Sequence, residues 1–197
     1  MTSTHCSTTS LATLPQKTHS QQCLLPPTRL RHCDSDFEYS IHSPPPRFQR
    51  ELTYIFPALR RQELKRILVV PVIQRCDNDM VGITVAANAE RDVRLELFVE
   101  WGKLVVDRLR SVGMWADIMD PASGYPIYGA PGASPYPDVQ GTQALLKYDI
   151  QNTGCCHVLL HPTWGSKIYP STMFTTAPAD ILVRVIEEIQ RSHPADK

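Results

Sequence analysis

The longest helical pattern in the chain, from about residue 90 to residue 112, constrains the fold more than any other feature. Apolar residues recur there at intervals of three and four, which is typical of a helix that buries one face. Acidic residues lie near its start and basic residues near its end, as the helix dipole favours. We therefore predict that this is the central packing helix. Its apolar stripe is Val93, Leu97, Trp101, Leu104, Val105, Leu109 and Val112.

Short apolar or β-branched runs on both sides of this helix predict strands. They cover residues 67–73, 80–86, 114–119, 156–160 and 168–174, the first two as a hairpin. Shorter helices are predicted from about residue 47 to 56 and over the apolar face from residue 181 to 189. Helices that alternate with hairpin strands predict an α+β fold with helices packed on a largely antiparallel sheet.

Composition divides the chain into a tail and a domain. Residues 1 to 46 are rich in Ser, Thr, Gln and Pro and contain no acidic residue before Asp34, so a disordered tail is expected. The same composition also fits a mitochondrial targeting segment, although prolines interrupt any amphipathic helix. A folded domain is predicted from 47 to 192, and residues 193–197 form a polar C-terminal tail.

Charge and motif content exclude several classes of function. Twenty basic and twenty acidic residues cancel, and the lack of a basic cluster argues against nucleic-acid binding. No apolar run is long enough to cross a bilayer. None of the six cysteines has the CxxC spacing of a structural zinc site. Phosphate-binding loops, GxSxG and HExxH are also missing, so the sequence gives no independent sign of an enzyme.

Two adjacent cysteines are the strongest candidates for chemistry. Gly154 can adopt a left-handed conformation, which predicts that Cys155 and Cys156 lie where a loop enters a strand. Alternation along the strand gives two faces: Cys155, His157 and Leu159, and Cys156, Val158 and Leu160. We expect the second, more apolar face to point inward. Cys155, with His157 on its side, is then the available thiol; alternatively, both cysteines simply pack as small apolar residues.

A second group of candidate residues lies at a corner. An Asp-Pro pair with a nearby glycine predicts a reverse turn, followed by an exposed Pro-rich loop over residues 129–138. The corner residues are Trp115, Asp117, Asp120, Pro121, Ser123 and Gly124. Their simplest role is to fix the turn and pack the core. The alternative is that this corner borders a partner surface.

Three motifs in order resemble the methylmalonic aciduria and homocystinuria type D, or CblD, family of cobalamin-trafficking proteins. They are GMWADIMDPASG at 113–124, GCCHV at 154–158 and HPTWG at 161–165. The likeness covers roughly residues 47 to 190. It implies a nitroreductase-like scaffold that has lost flavin binding and has no established catalysis. The Pro-rich loop at 129–143 and His157, in place of a lysine, depart from the family pattern.

The resemblance also implies a partner and a cargo. Family members act with the CblC-type cobalamin-processing protein and direct cobalamin to methionine synthase in the cytosol and methylmalonyl-CoA mutase in mitochondria. Cys155 then corresponds to the thiolate ligand of cobalt in cobalamin held by that partner, supported by Gly154, Cys156 and His157. A thiolate suits a transition metal. Cobalamin is thus shared cargo, and the isolated chain is expected to bind no cofactor.

Two other functions remain open from the sequence. One is a flavin-dependent oxidoreductase that keeps the activity of the nitroreductase-like scaffold. The other is a redox protein that uses the vicinal thiols Cys155 and Cys156. Cytoplasm, mitochondrion or both fit the sequence as the location of the protein.

Overall fold

The computed structural model describes residues 22–154 and 157–193, and the elements below belong to those ranges. In chain order they are β1 (Gln22–His32), β2 (Ser35–Ser43), α1 (Pro46–Ile55), α2 (Arg61–Leu64), β3 (Leu68–Arg75), α3 (Val85–Ser111), β4 (Ala116–Ile118), α4 (Asp138–Leu146), β5 (Asp149–Asn152), β6 (His157–Leu160), β7 (Ile168–Thr175) and α5 (Ala179–Ser192).

The main sheet has five strands in the order β1-β2-β3-β7-β4. Each neighbouring pair is antiparallel, and β3 pairs with β7 along its whole length, from Leu68 opposite Thr175 to Arg75 opposite Ile168. The strands β5 and β6 form a separate antiparallel pair. The predicted α+β fold with a largely antiparallel sheet and packed helices is confirmed.

Alternation along β3 divides the core into two layers. Val70 and Val72 lie in the cluster formed with α3 and α5, whereas Val69 packs with α1 and α4, on the other face of the sheet. Side chains of a strand point to opposite faces in turn, so the sheet is covered on both sides. The central position of the long helix is confirmed, since Trp101 and Val105 are fully buried under the sheet.

The first two strands correct the prediction of a disordered tail to residue 46. Phe37 and Ile41 of β2 are fully buried against the long-helix layer. Phe37, Tyr39 and Ile41 alternate with polar residues, which is a strand pattern, but the stretch rich in Ser, Thr and Pro before them led to their assignment to the tail. The folded domain therefore includes residues 22–46, which the sequence had assigned to the tail; residues 1–21 and 194–197 lie outside the described residues.

The predicted hairpin of residues 67–73 with 80–86 is also wrong. The first run does form β3, but its partners are β2 and β7. Residues 80–83 form a turn, and Thr84 begins α3 by accepting a hydrogen bond on its Oγ1 from the Ala87 amide at 3.1 Å. A threonine at the N-cap satisfies an otherwise unpaired amide, which outweighs the strand preference of the β-branched residues here.

The C-terminal half contains one helix that was not predicted and one whose predicted apolar face is confirmed. Helix α4 was not predicted. The Pro-rich loop before it is exposed apart from half-buried Gly129 and Gly132 and buried Tyr136, whose ring packs edge-on against Phe174 at 4.9 Å. Helix α5 begins after Pro178, which takes the N-cap position. Its predicted apolar face is confirmed by the buried residues Leu182, Val185, Ile186 and Ile189.

Two leucines of β1 test whether the revised N-terminal boundary is correct. Leu30 is 5% exposed and lies in the core, whereas Leu24 is 40% exposed. We expect Leu30→Ala to lower the free energy of unfolding by about 2 kcal/mol or more because it opens a cavity. Leu24→Ala should change it by roughly 0.5 kcal/mol. Denaturant titration measures both, and equally small effects would return this segment to a disordered tail.

Candidate functional site

The two cysteines belong to the segment that connects β5 and β6. Asn152 pairs with His157 at the end of these strands, so residues 153–156 join them; we call the whole unit, residues 149–160, the cysteine hairpin. Gly154 has a φ of +85° with open space around the position of a Cβ. The predicted left-handed glycine is thereby confirmed. Cys155 and Cys156 lie outside the described residues.

The predicted faces of β6 are wrong. Leu159 is 1% exposed and packs with Ile73 and Ile168, whereas Val158 and Leu160 are only half-buried. The strand has similar apolar residues on both faces, so composition could not show which face packs against the main sheet. Alternation therefore no longer favours Cys155 over Cys156, and the choice of Cys155 rests on the family resemblance.

His157 is exposed and lines a cavity of about 160 Å³ beside the hairpin. The walls also come from the turn before α3 and from the first residues of β7: Met80, Arg91, Val139, Val158, Leu159, Ile168, Tyr169 and Pro170. The Arg91 guanidinium donates to the carbonyl oxygens of Met80 and Gly82 at 2.8 and 2.9 Å. It thereby holds the turn that forms one side of the cavity.

A buried polar cluster lies at the opposite end of the hairpin. Oε1 of Glu38, in β2, accepts hydrogen bonds from the Tyr148 hydroxyl at 3.1 Å and from His161 Nε2 at 3.0 Å. His161 Nδ1 accepts from the amides of Thr163 and Trp164, both at 3.1 Å. Because Nδ1 is an acceptor, the ring proton of a neutral His161 must reside on Nε2 and point at Glu38.

The surroundings favour the ionised form of Glu38. Burial by itself raises the pKa of Glu38, but hydrogen bonds from His161 and Tyr148 and the charge of Arg29 outweigh it, so the pKa is lowered. The Trp164 ring stacks on His161 with centroids 4.4 Å apart, and the Arg29 guanidinium lies 5.0 Å from the Trp164 ring. The cluster is therefore a charged hydrogen-bonded unit covered by an aromatic ring.

Sequence reasoning missed this cluster. Glu38 fell in the segment assigned to the tail, and Tyr148 had no distinguishing pattern. His161 was part of a resembling motif but had no assigned role. Glu38 and His161 are 123 residues apart, and no local pattern links positions so distant along the chain.

The corner residues have mainly structural contacts. The buried carboxylate of Asp117 accepts from the amides of Ile118, Tyr128 and Gly129 at 2.8 to 3.0 Å. Burial raises the pKa of Asp117, and these amides and Arg110 offset that only in part.

The turn itself is closed by Asp120. Its carboxylate accepts from the Ala122 amide at 3.1 Å and from the Ser123 hydroxyl at 2.6 Å. Gly124 has a φ of +73°, and a Cβ there would lie 2.8 Å from the Tyr136 carbonyl oxygen. Pro121 lies in the turn, and Trp115 packs edge-on against Phe56 at 5.1 Å. These contacts are all internal to the domain.

Among the described residues, Asp138, the first residue of α4, is the carboxyl group whose pKa departs most from its ordinary value. It accepts a hydrogen bond from the Thr172 hydroxyl. Burial raises its pKa to about 7, and the nearby charge of Asp120 adds to the shift. The folded protein therefore holds a proton on Asp138 over a pH range in which an ordinary aspartate is ionised.

Two general properties restrict the chemistry of the described part. Within residues 22–154 and 157–193, no three His, Cys, Asp or Glu side chains converge to hold a metal ion. In the same ranges, no helix combines the length and apolar character needed to cross a membrane. The fold and the site thus define an α+β domain with a short two-stranded hairpin tied to the main sheet through Glu38 and Leu159.

Comparison with known proteins assigns the family. The model of the methylmalonic aciduria and homocystinuria type D protein family matches residues 9–190. The chain is 30% identical to cobalamin trafficking protein CblD of Mus musculus and 29% identical to that of Homo sapiens, in each case over 143 residues. This chain therefore belongs to the methylmalonic aciduria and homocystinuria type D protein family.

The match covers 73% of this chain but 47% of the mouse and human proteins. The chain thus spans about half the length of the curated relatives it matches. The family resemblance drawn from the three motifs is confirmed.

Replacement of Asp117 by asparagine distinguishes a structural corner from a partner surface. The amide group of Asn places donors against backbone donors, so Asp117→Asn should lower the free energy of unfolding by about 1–3 kcal/mol. Asp107→Asn, at an exposed acceptor of the Tyr128 hydroxyl, is the control and should cost less than about 1 kcal/mol. Unchanged stability with lost binding to a CblC-type protein would instead support the partner surface.

The raised pKa of Asp138 predicts a specific pH dependence of stability. A carboxyl group whose pKa rises from 3.8 to about 7 on folding stabilises the fold most below pH 4 and loses that contribution as the pH rises towards 7. Relative to Asp138→Asn, the wild type should lose up to about 1.4 kcal/mol per pH unit in this window. Denaturant titrations at several pH values measure the slope. The exposed Asp149→Asn serves as control, and parallel curves for wild type and Asp138→Asn would contradict the shift.

Proposed function

We propose that this protein is a non-enzymatic adaptor in cobalamin trafficking, which docks on a CblC-type cobalamin-processing protein and supplies Cys155 as a thiolate ligand to cobalt. The proposal rests on one observation above all. Both cysteines lie in the segment that joins the paired residues Asn152 and His157, at the far end of a hairpin whose base is tied to the main sheet. The names of the related proteins support cobalamin as the cargo.

The chemistry of ligation follows from the residue types. A thiolate is a soft, strong donor for cobalt, and coordination or a neighbouring base is needed to form it near neutral pH. His157 is exposed and two positions from Cys155, so its imidazole would accept the thiol proton while the thiolate would replace the water of aquocobalamin on cobalt. Gly154, with a φ of +85°, and Cys156 are the other supporting residues in this proposal.

The partner contact is expected beside the cavity at His157. Ile83 and Val85 are 89% and 88% exposed and flank Thr84 at the start of α3. The same turn is held by Arg91, which lines the cavity. Exposed apolar side chains next to a site are typical of interaction surfaces. We therefore propose that this turn touches the CblC-type protein when the cysteine hairpin reaches its cobalamin.

The remaining parts of the proposal concern the wider pathway. The cargo passes towards methionine synthase, methylmalonyl-CoA mutase or both, and the protein acts in the cytoplasm, the mitochondrion or both. The scaffold is nitroreductase-like without flavin, and the isolated chain binds no cofactor. The absence of a role for flavin is consistent with relatives that are named as trafficking proteins.

A spectroscopic titration tests the cobalt ligand. Adding the chain to aquocobalamin or cob(II)alamin bound to a CblC-type protein should shift the visible spectrum, because a thiolate changes the ligand field of cobalt. Cys155→Ser should abolish the shift, whereas Cys156→Ser and the exposed Cys23→Ser should keep it. Size-exclusion chromatography reports docking separately from ligation.

Several outcomes would contradict the proposal. A shift with Cys155→Ser equal to that of the wild type would remove Cys155 as the ligand. A yellow preparation that binds FMN would favour a flavin oxidoreductase. Turnover of a disulfide substrate that needs both Cys155 and Cys156 would favour a thiol redox protein.

A further inference from the structure

We propose that Glu38 is a positioning residue for the cysteine hairpin. Its carboxylate, together with Tyr148 and His161, forms what we call the Glu38 clasp, which fixes both legs of the hairpin to the main sheet. For its effect on cobalt this inference rests on the proposed function, but the clasp itself can be tested without cobalamin.

The geometry of the clasp is specific to the base of the hairpin. Tyr148 immediately precedes β5, and His161 immediately follows β6. Their side chains donate to the same oxygen, Oε1 of Glu38, at 3.1 and 3.0 Å. One carboxylate on β2 therefore holds the incoming and the outgoing strand together.

The alternation of β2 places Glu38 where the hairpin lies. Phe37 and Tyr39 point into the layer of α3 and α5. Glu38 thus points to the opposite face of the sheet. It pairs with Ile73 across β2 and β3, and Ile73 packs with Leu159 of the hairpin. An acidic residue in the middle of a buried strand thereby becomes the contact between the sheet and the hairpin.

The hairpin depends on such contacts because neither of its described strands pairs with a strand of the main sheet. The strands β5 and β6 form a sheet of their own, and an isolated two-stranded hairpin is marginally stable in water. Apolar packing through Leu159 covers one side of the hairpin. Apolar contacts, however, fix the orientation of the hairpin less strictly than hydrogen bonds do. The clasp supplies the directional contact.

The length of the hairpin amplifies any change at its base. Four residues in each strand span roughly 13 Å at the usual rise per residue. A small rotation at Tyr148 and His161 therefore displaces the segment that carries the cysteines by a larger distance. Ligation of a metal by a thiolate requires placement within a fraction of an ångström, so the clasp should affect ligation although it lies at the other end of the hairpin.

The ionised state of Glu38 gives the clasp its strength. Hydrogen bonds to a carboxylate are stronger than those to a neutral amide, so Glu38→Gln keeps the shape and weakens both bonds. Glu38→Ala removes the acceptor, so the Tyr148 hydroxyl and His161 Nε2 lose this hydrogen-bond partner. The opening of the hairpin should therefore increase from wild type to Glu38→Gln and further to Glu38→Ala. A residue that contributed only local packing would not produce this order.

Hydrogen exchange measured by mass spectrometry on the full chain tests the clasp. Glu38→Ala should raise the exchange rate of peptides covering residues 149–160 by about tenfold or more relative to wild type, with Glu38→Gln in between. Peptides of β3 and β7 should keep their rates. Asp36→Asn, which changes an exposed carboxylate on the same strand that is bonded to Arg75 at 3.3 Å, is the matched control and should leave the hairpin unchanged.

A double substitution and the cobalamin titration complete the test. Tyr148→Phe should have little further effect in the Glu38→Ala background, since both changes break the same bond. With partner-bound cobalamin, Glu38→Gln should weaken the Cys155-dependent spectral shift while docking persists.

The inference would be overturned by unchanged exchange in residues 149–160 or by an equal rise in every peptide of the chain. If the wild type shows no Cys155-dependent shift, the proposed cobalt ligation fails, and the exchange pattern still decides the role of Glu38.

Discussion

The full-length pairing of β3 with β7 is the interaction on which the rest of the structure depends. β3 is a nearly continuous apolar run, β7 mixes apolar residues with buried Ser171, Thr172 and Thr175, and both strands pack against helices on two faces. Because alternate residues point to opposite faces, this one pairing joins the layer of α3 and α5 to the layer of α1 and α4. The outer strands add to it: β2 and β1 on one side, and β4 on the other.

The candidate site lies on the less regular face of this sheet. There the two-stranded cysteine hairpin covers the part of β3 around Ile73, beside the layer of α1 and α4. The hairpin depends on Leu159 for apolar packing and on Glu38 for its orientation. The corner around Asp117 instead uses its polar groups internally, on backbone amides.

The family match extends over strands that the sequence had assigned to a tail. The family match covers nearly all described residues, including β1 and β2. The strand that carries Glu38 is therefore part of the matched region, although its sequence looked like a tail. The clasp connects that strand to the segment with the cysteines, and so connects two parts of the domain that are far apart along the chain.

The sequence by itself determined the features that arise from local physics. The long helix followed from its apolar period, β3 and β7 from β-branched runs, the corner from Asp-Pro and glycine chemistry, and the left-handed residue at Gly154 from the lack of a side chain. The motif at residues 154–158 also pointed to the correct family.

Only the tertiary structure decided what depends on distant contacts. The alternating pattern of β2 is typical of a strand, but only the fold shows where it packs: Phe37 contacts Trp101 of the long helix with ring centroids 5.8 Å apart. The inward face of β6 was set by the position of Ile73 and Ile168, since the strand is apolar on both faces. Glu38 became the acceptor for Tyr148 and His161 because three separate segments meet on one face of the sheet, and side chains that are paired only through the fold leave no local pattern in the sequence.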